Sequence, residues 1–203
     1  LTRSRETDVI DLQGRFVRFL ERTGRLDRAV EFLPDDEELE ERERDNIGLT
    51  RPEVSVVMPY AKLWLYDELL ASGLPDENLL QTDLIEYFPT PLRQKYRREI
   101  LGHRLAREII ATVVTNSMIN HVGGTFVINL MEKSGARPVD IARAYIVVRD
   151  TFDLESIWRE IEALDNKIAA SMQATLLQSV NQLIERATLW LLRGLDHPIN
   201  IGG

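Results

Sequence analysis

Three histidines, His103, His121 and His197, are the side chains of this sequence whose type best suits proton transfer or metal binding. A helical metal site needs ligands one turn apart, as in a His-Glu-x-x-His pair, and these three are too scattered for that. Each is read as a structural or surface histidine. Carboxylates such as Glu132, Asp140 and Glu160 have no neighbouring partner that marks an acid and base pair, and no Gly-x-Ser-x-Gly elbow surrounds a serine. Cysteine is absent, which removes thiolate ligands, a thiol nucleophile and disulfides. A nicotinamide site needs a strand, a glycine-rich turn that opens a helix and a downstream acid for the ribose. The adjacent glycines Gly123 and Gly124 instead follow a helical stretch. The sequence therefore assigns no catalytic, cofactor-binding or metal-binding residue to this chain.

The feature nearest to a phosphate site is the basic stretch holding Arg93, Arg97 and Arg104, where forked guanidinium groups recur near one helix face and Tyr96 could stack. Glu99 and Glu108 interrupt it, and the net charge of −8 opposes a polyphosphate backbone. An acidic segment close in sequence is expected to pair with these arginines, so no nucleic-acid partner is assigned. Asn116 and Asn120 lie four apart beside Thr112 and form a polar stripe on an otherwise apolar helix end. Buried amides need partners, so the stripe is expected to join helices or meet another domain. Arg104, Arg107, Asn116, Asn120, His121 and Thr125 are the candidate inter-domain contacts. Trp64, Trp158 and Trp190 are read as core anchors.

Helical spacing and caps organise the rest. Ile10, Phe16, Phe19 and Leu20 predict an amphipathic helix over residues 6–22, closed by Thr23-Gly24. The carboxylates crowded into residues 35–45 predict a solvated helix or connector anchored by Leu33, Leu39 and Ile47. Thr50-Arg51-Pro52-Glu53 has the spacing of a capping box, with a proline in the first turn. The buried helix it opens over residues 54–71 is expected to kink or restart at Pro59. A short helix over 79–87 ends at Phe88-Pro89, and a long one is expected from 91 to 120, stopped by Gly123-Gly124. Thr125 should cap the next helix, Gly135 end it and Pro138 begin another. The β-branched run Tyr145-Ile146-Val147-Val148 is compatible with helix or strand; helix is preferred because no alternating partner segment exists. A last helical stretch from Asp153 to Gly194 has apolar residues at steps of three and four, which suits packing on several helices better than an independent coiled coil.

Hydrophobic residues at 44% and charged residues at 29% over 203 residues suit one sizeable packed domain or two small helical lobes. The expected fold is an all-α, multi-helix bundle-like domain with a long C-terminal helix and no substantial sheet. Its expected divisions are an N-terminal helical segment over 1–33 continuing from an upstream domain, an acidic connector over 34–49, a helical C-terminal domain over 50–195 and a disordered tail over 196–203. No apolar run is long enough to cross a bilayer, and the missing cysteines suit a reducing compartment, so a cytoplasmic protein is expected. The opening run Leu1-Thr2-Arg3-Ser4-Arg5-Glu6, without an initiator Met, reads as a fragment of a longer polypeptide.

Several strings, in order, resemble the C-terminal region of the large bacterial NAD-dependent glutamate dehydrogenases. They include Gly48-Leu49-Thr50-Arg51-Pro52-Glu53, Tyr60-Ala61-Lys62-Leu63-Trp64-Leu65-Tyr66-Asp67, Tyr87-Phe88-Pro89 and His103-Arg104-Leu105 leading to Glu108-Ile109-Ile110-Ala111-Thr112. Gly124-Thr125-Phe126-Val127, Ala142-Arg143-Ala144-Tyr145, Ile161-Glu162-Ala163-Leu164-Asp165-Asn166 and Glu185-Arg186-Ala187-Thr188-Leu189-Trp190-Leu191-Leu192-Arg193 continue the match. Pro59 falls where the family pattern has an uninterrupted helix, and His121 where arginine is expected before Gly-Gly. The resemblance implies a parent enzyme, a homo-oligomer, that oxidises L-glutamate to 2-oxoglutarate and ammonia with NAD in an upstream catalytic domain. That domain would be this chain's partner. The family's catalytic lysine, acid and dinucleotide motif match no position here. The alternative is a free-standing helical interaction module, recruiting a partner through its acidic segment and basic helix.

Overall fold

A computed structural model of the chain describes the backbone of residues 2–194 and the side chains of residues 10–194. The tail boundary expected at 196–203 lies outside the described residues. Among those residues the chain forms eleven α-helices and two short 3-10 turns, with no strand. In order they are α1 (Thr2–Arg22), α2 (Asp36–Arg44), α3 (Arg51–Leu70), α4 (Gln81–Tyr87), α5 (Thr90–Lys95), α6 (Arg97–Leu101), α7 (Ala106–Val122), α8 (Phe126–Ser134), α9 (Pro138–Thr151), α10 (Leu154–Glu162) and α11 (Ala170–Gly194). The all-α expectation and the long C-terminal helix both hold.

Caps set the first boundaries. Asp35 accepts from the Glu38 amide while the Glu38 carboxylate accepts from the Asp35 amide, so the acidic segment is a true helix with both ends of a capping box. Thr50 and Glu53 make the same exchange at the start of α3, and Arg42 donates twice to Glu53, joining α2 to α3. Leu33 and Leu39 anchor this region as expected, whereas Ile47 is exposed. No new helix begins at Pro59; α3 runs through it with the proline on its exposed side.

Two expected helices are broken. The stretch from 91 to 120 divides into α5, α6 and α7, because the backbone leaves helical geometry at Tyr96 and again at Gly102, where the His103 imidazole accepts from the Leu105 amide. The stretch from Asp153 to Gly194 divides into α10 and α11 across a turn at 163–169, in which Asn166 takes a left-handed conformation. Local side-chain acceptors and asparagine compete with the helix at such points, while apolar spacing continues across them.

The core lies around α7 and α9. Ile110, Ala111, Val114, Met118 and Ile119 of α7 are buried against α3, α4 and α9, and α3 meets them with Val57, Ala61, Trp64, Leu65 and Leu69. The Tyr145 to Val148 run is helix: Tyr145 and Ile146 are fully buried, and α9 is covered by α3, α7, α8, α10 and α11. A helix covered on so many sides must pair its polar groups. The Tyr145 hydroxyl lies 2.8 Å from Ser117 Oγ, and burial pushes the phenol well above its usual range. The Arg149 guanidinium donates to both carboxylate oxygens of Asp83, at 2.7 and 3.1 Å, and to Asp150. Arg143 bridges Glu77 and Asp140. Two of α9's arginines thus hold Glu77, just ahead of α4, and Asp83, within its first turn.

Removing one partner of a buried pair leaves the other uncompensated, so Arg149→Met should cost about 3–5 kcal/mol. Asp83→Leu added to it should recover most of that loss, as read by urea unfolding of the single and double variants. At the surface, hydrogen bonds from Arg28 and then Arg18 hold the Asp36 carboxyl at about 2. A lowered folded value means stability present above the ordinary carboxylate range of about 4 and lost as pH falls towards about 2. Asp36→Asn should therefore flatten the dependence of Tm on pH in that window, while solvent screening keeps its cost at pH 7 below about 1 kcal/mol.

Candidate functional site

The six candidate contact residues are strung along and around α7, which at 17 residues is about 25 Å long. Arg107, in its first turn, donates through Nη2 to the carbonyls of Leu70 at 2.9 Å and Ser72 at 3.0 Å and pairs through Nη1 with Asp76. Those carbonyls are left over at the end of α3, so Arg107 closes α3 and fixes the start of α7 against it. The Asp76 carboxylate raises the guanidinium above its usual value. Arg107 also borders a cavity of about 200 Å³ with Asp76, Glu77, Gln81, Leu84 and Ile110. In that cavity its guanidinium is already committed, and the carboxylate oxygen Oε2 of Glu77 is buried with no partner among the described residues. Arg104 lies exposed in the turn before α7.

Along the helix, Asn116 is half-buried and Asn120 exposed, and neither side chain hydrogen-bonds another described residue. Thr112 donates to the carbonyl of Glu108. The side chain that does cross between helices is Ser117, which reaches Tyr145. It escaped the sequence reading because a single serine in an apolar helix has no distinctive spacing.

At the far end of α7, His121 stacks on Trp158 with ring centroids 3.6 Å apart and planes 3° from parallel. Its Nδ1 is 2.9 Å from the Ser117 carbonyl; a carbonyl can only accept, so Nδ1 carries the proton. The histidine thereby ties α7 to α10. Gly123 and Gly124 then divide two tasks. Gly123 has φ +91°, which stops the helix, while a Cβ at Gly124 would come within 3.3 Å of Ala61 Cβ and 3.5 Å of the Phe16 ring. Thr125 occupies the position before α8 without making a side-chain cap, in contrast to the expectation. The structure therefore places Arg104 and Arg107 at one end of α7 and His121 and Thr125 at the other, and does not gather the six into one site.

The basic stretch does not meet the acidic segment. Arg93 donates to the carbonyls of Phe88 and Glu86 at 2.8 and 2.7 Å and closes α4, whereas the Asp36 carboxylate pairs with Arg18 and Arg28. The polar groups missed by sequence are those of α9: Arg143 and Arg149 with Glu77, Asp83 and Asp140. Two arginines in a helix with apolar residues on every side were the available signal, since a guanidinium buried there requires carboxylates. Each of those carboxylates is paired with a guanidinium of α9, an arrangement that cross-links helices. Among the described residues no three His, Asp or Glu side chains are grouped so as to hold a metal ion.

The sequence profile described as "Glutamate dehydrogenase, C-terminal" matches residues 46–203. The chain is 43% identical to the NAD-specific glutamate dehydrogenase of Halomonas elongata, over 93% of this chain and 12% of that protein. It is 44% identical to the protein of the same name from Pseudomonas aeruginosa, over 89% of this chain and 11% of the relative. The Mycobacterium tuberculosis relative, also named NAD-specific glutamate dehydrogenase, is 34% identical over 99% of this chain and 12% of its own length. The chain thus spans about an eighth of the relatives it matches. The matched region covers the capping box of α3, the Gly123-Gly124 turn and α9 with its paired arginines, and on that ground the chain belongs to the glutamate dehydrogenase C-terminal family.

Proposed function

We propose that this chain is a helical accessory domain of an NAD-dependent glutamate dehydrogenase, and that it packs on an upstream catalytic domain and supports its assembly or regulation. The observation that carries this reading is the family match over residues 46–203 in a chain that spans about 12% of its relatives. The disposition of the polar side chains supports it: Arg107, Arg143 and Arg149 are committed to carbonyls and carboxylates that join helices of this same chain. The parent would convert L-glutamate, NAD and water to 2-oxoglutarate, ammonia and NADH, with the nicotinamide and the reacting lysine held upstream. It would work as a cytoplasmic homo-oligomer; no helix among the described residues is long and apolar enough to cross a membrane.

The profile's start at residue 46 supports a boundary near residue 50, with 1–33 continuing from the preceding domain, 34–49 as the connector and 50–195 as the accessory domain. Of the six contact candidates, Arg104 and Asn120 are exposed and are the ones placed to reach the catalytic domain. Arg107 and His121 act through the helix ends they fix.

The 203-residue chain alone should produce no NADH from glutamate and NAD, read at 340 nm, and the parent lacking these residues should lose at least tenfold in kcat/KM or fail to assemble. NADH formation by the isolated chain would overturn the reading. So would a truncated parent with unaltered kinetics, assembly and effector response.

A further inference from the structure

Helix α11 has two apolar faces, and the fold uses one. Ile184, Thr188 and Leu192 follow one another at steps of four and are buried where α11 packs on α8 and α9. On the opposite side Met172, Leu176, Leu183 and Trp190 are exposed by 58%, 39%, 40% and 72%. At about 100° per residue these four fall within an arc of about 40°. Ser179 and Arg186 complete the row, so the positions 172, 176, 179, 183, 186 and 190 advance by alternating steps of four and three, the spacing of a helix–helix seam. Single exposed apolar residues are ordinary, but a row about 27 Å long headed by an exposed tryptophan marks a contact surface.

We propose that this outer face of α11 is a homotypic interface, on which two copies of the chain pair antiparallel about a twofold axis at the middle of the row. The proposal goes beyond the accessory-domain reading and does not depend on it. Three observations select a second copy as the occupant. The steps four, three, four, three, four read the same in both directions, so an antiparallel copy meets the row in register about Asn181. That register sets Met172 against the partner's Trp190, Ser179 against the partner's Leu183, and Leu176 against the aliphatic stem of the partner's Arg186. A parallel arrangement would instead set the two Arg186 side chains against each other.

The second observation is charge. The chain carries 33 acidic residues and a net charge of −8, yet α11 has no charged residue before Glu185. Glu185 is itself held by Lys133 and Asn129, on the α8 side. A carboxylate-free face removes the like-charge repulsion that opposes self-association of an acidic protein. The third is the flanks: Thr175, Val180, Gln182, Ala187 and Leu189 border the row without charge, and the small Ser179 and Ala187 allow close approach of two helices. The row is narrow, so the free chain should pair weakly and in a concentration-dependent way, while tethering within a larger assembly would raise the effective concentration.

The mass of the 203-residue chain, 23.4 kDa, should double with concentration in light scattering. Leu183→Glu and Trp190→Glu should each weaken pairing at least tenfold while leaving the circular dichroism melt unchanged, because both side chains are exposed. The chain has no cysteine, so engineered thiols report cleanly. Met172→Cys with Trp190→Cys should form disulfide-linked dimers on mild oxidation, since the two positions are too far apart on one helix to bond within a chain. Leu183→Cys alone should not cross-link. A chain of 23.4 kDa at every concentration up to the millimolar range, or no cross-link in the double variant, would overturn the proposal. Efficient Leu183→Cys dimers would overturn the antiparallel register, and loss of docking onto the truncated parent without any loss of self-pairing would assign the row to the catalytic domain instead.

Discussion

The contact on which the rest of this fold depends is the grip of α9 on the segment leading into α4. α9 is enclosed by five helices, so its arginines have little access to water, and only paired carboxylates make their burial tolerable. Burial alone would disfavour the charged state of Arg149; the hydrogen bonds it donates to Asp83 and Asp150 outweigh that and hold the guanidinium above its usual value. With Asp83 and Glu77 fixed in this way, the 3-10 turns and α4 have one position against α7, and α7 in turn positions α3 through Arg107. Apolar packing supplies most of the driving force, and the ion pairs specify which packing is adopted.

Arginines are committed in a similar way at helix ends elsewhere among the described residues. Arg93 and Arg107 both terminate helices by donating to leftover carbonyls, which consumes the donors that a phosphate would need. Arg42 serves the capping box at Glu53: burial pushes that carboxyl up, and the Thr50 amide and hydroxyl together with Arg42 bring it below its usual value. Both ends of α3 and the end of α4 are in this way tied to a neighbouring segment by an arginine.

What the sequence made legible follows from range. Interactions within one turn were readable: the capping box at Thr50 and Glu53, the helix stop at Gly123, the left-handed Gly135 and the first-turn Pro138 all appear as the residue types require. The helical reading of Tyr145-Ile146-Val147-Val148 was recoverable for a negative reason, the lack of a pairing strand. Interruptions were not readable, because apolar spacing carries straight across Tyr96, Gly102 and the turn at 163–169 while the backbone does not. Pairings between distant segments, such as Arg149 with Asp83 and Ser117 with Tyr145, have no local signature, and the candidate contacts along α7 suffered from the same blindness. His121 shows it well: its spacing said nothing of a stacked tryptophan from α10.

The tryptophans separate what belongs to the domain from what belongs to its surroundings. Trp64 and Trp158 are buried, the first against Phe19 and the second against His121, and both do what a large apolar side chain in a core is expected to do. Trp190 was expected beside them, yet it stands 72% exposed, although Ile184, Thr188 and Leu192 of the same helix are fully packed. Periodicity alone cannot tell these residues apart, since both faces of α11 repeat at helical spacing. What distinguishes them is which face the other helices of this chain reach. A core closed by α3, α7 and α9 has no room for a second apolar face of α11, so that face is left for a contact outside this chain.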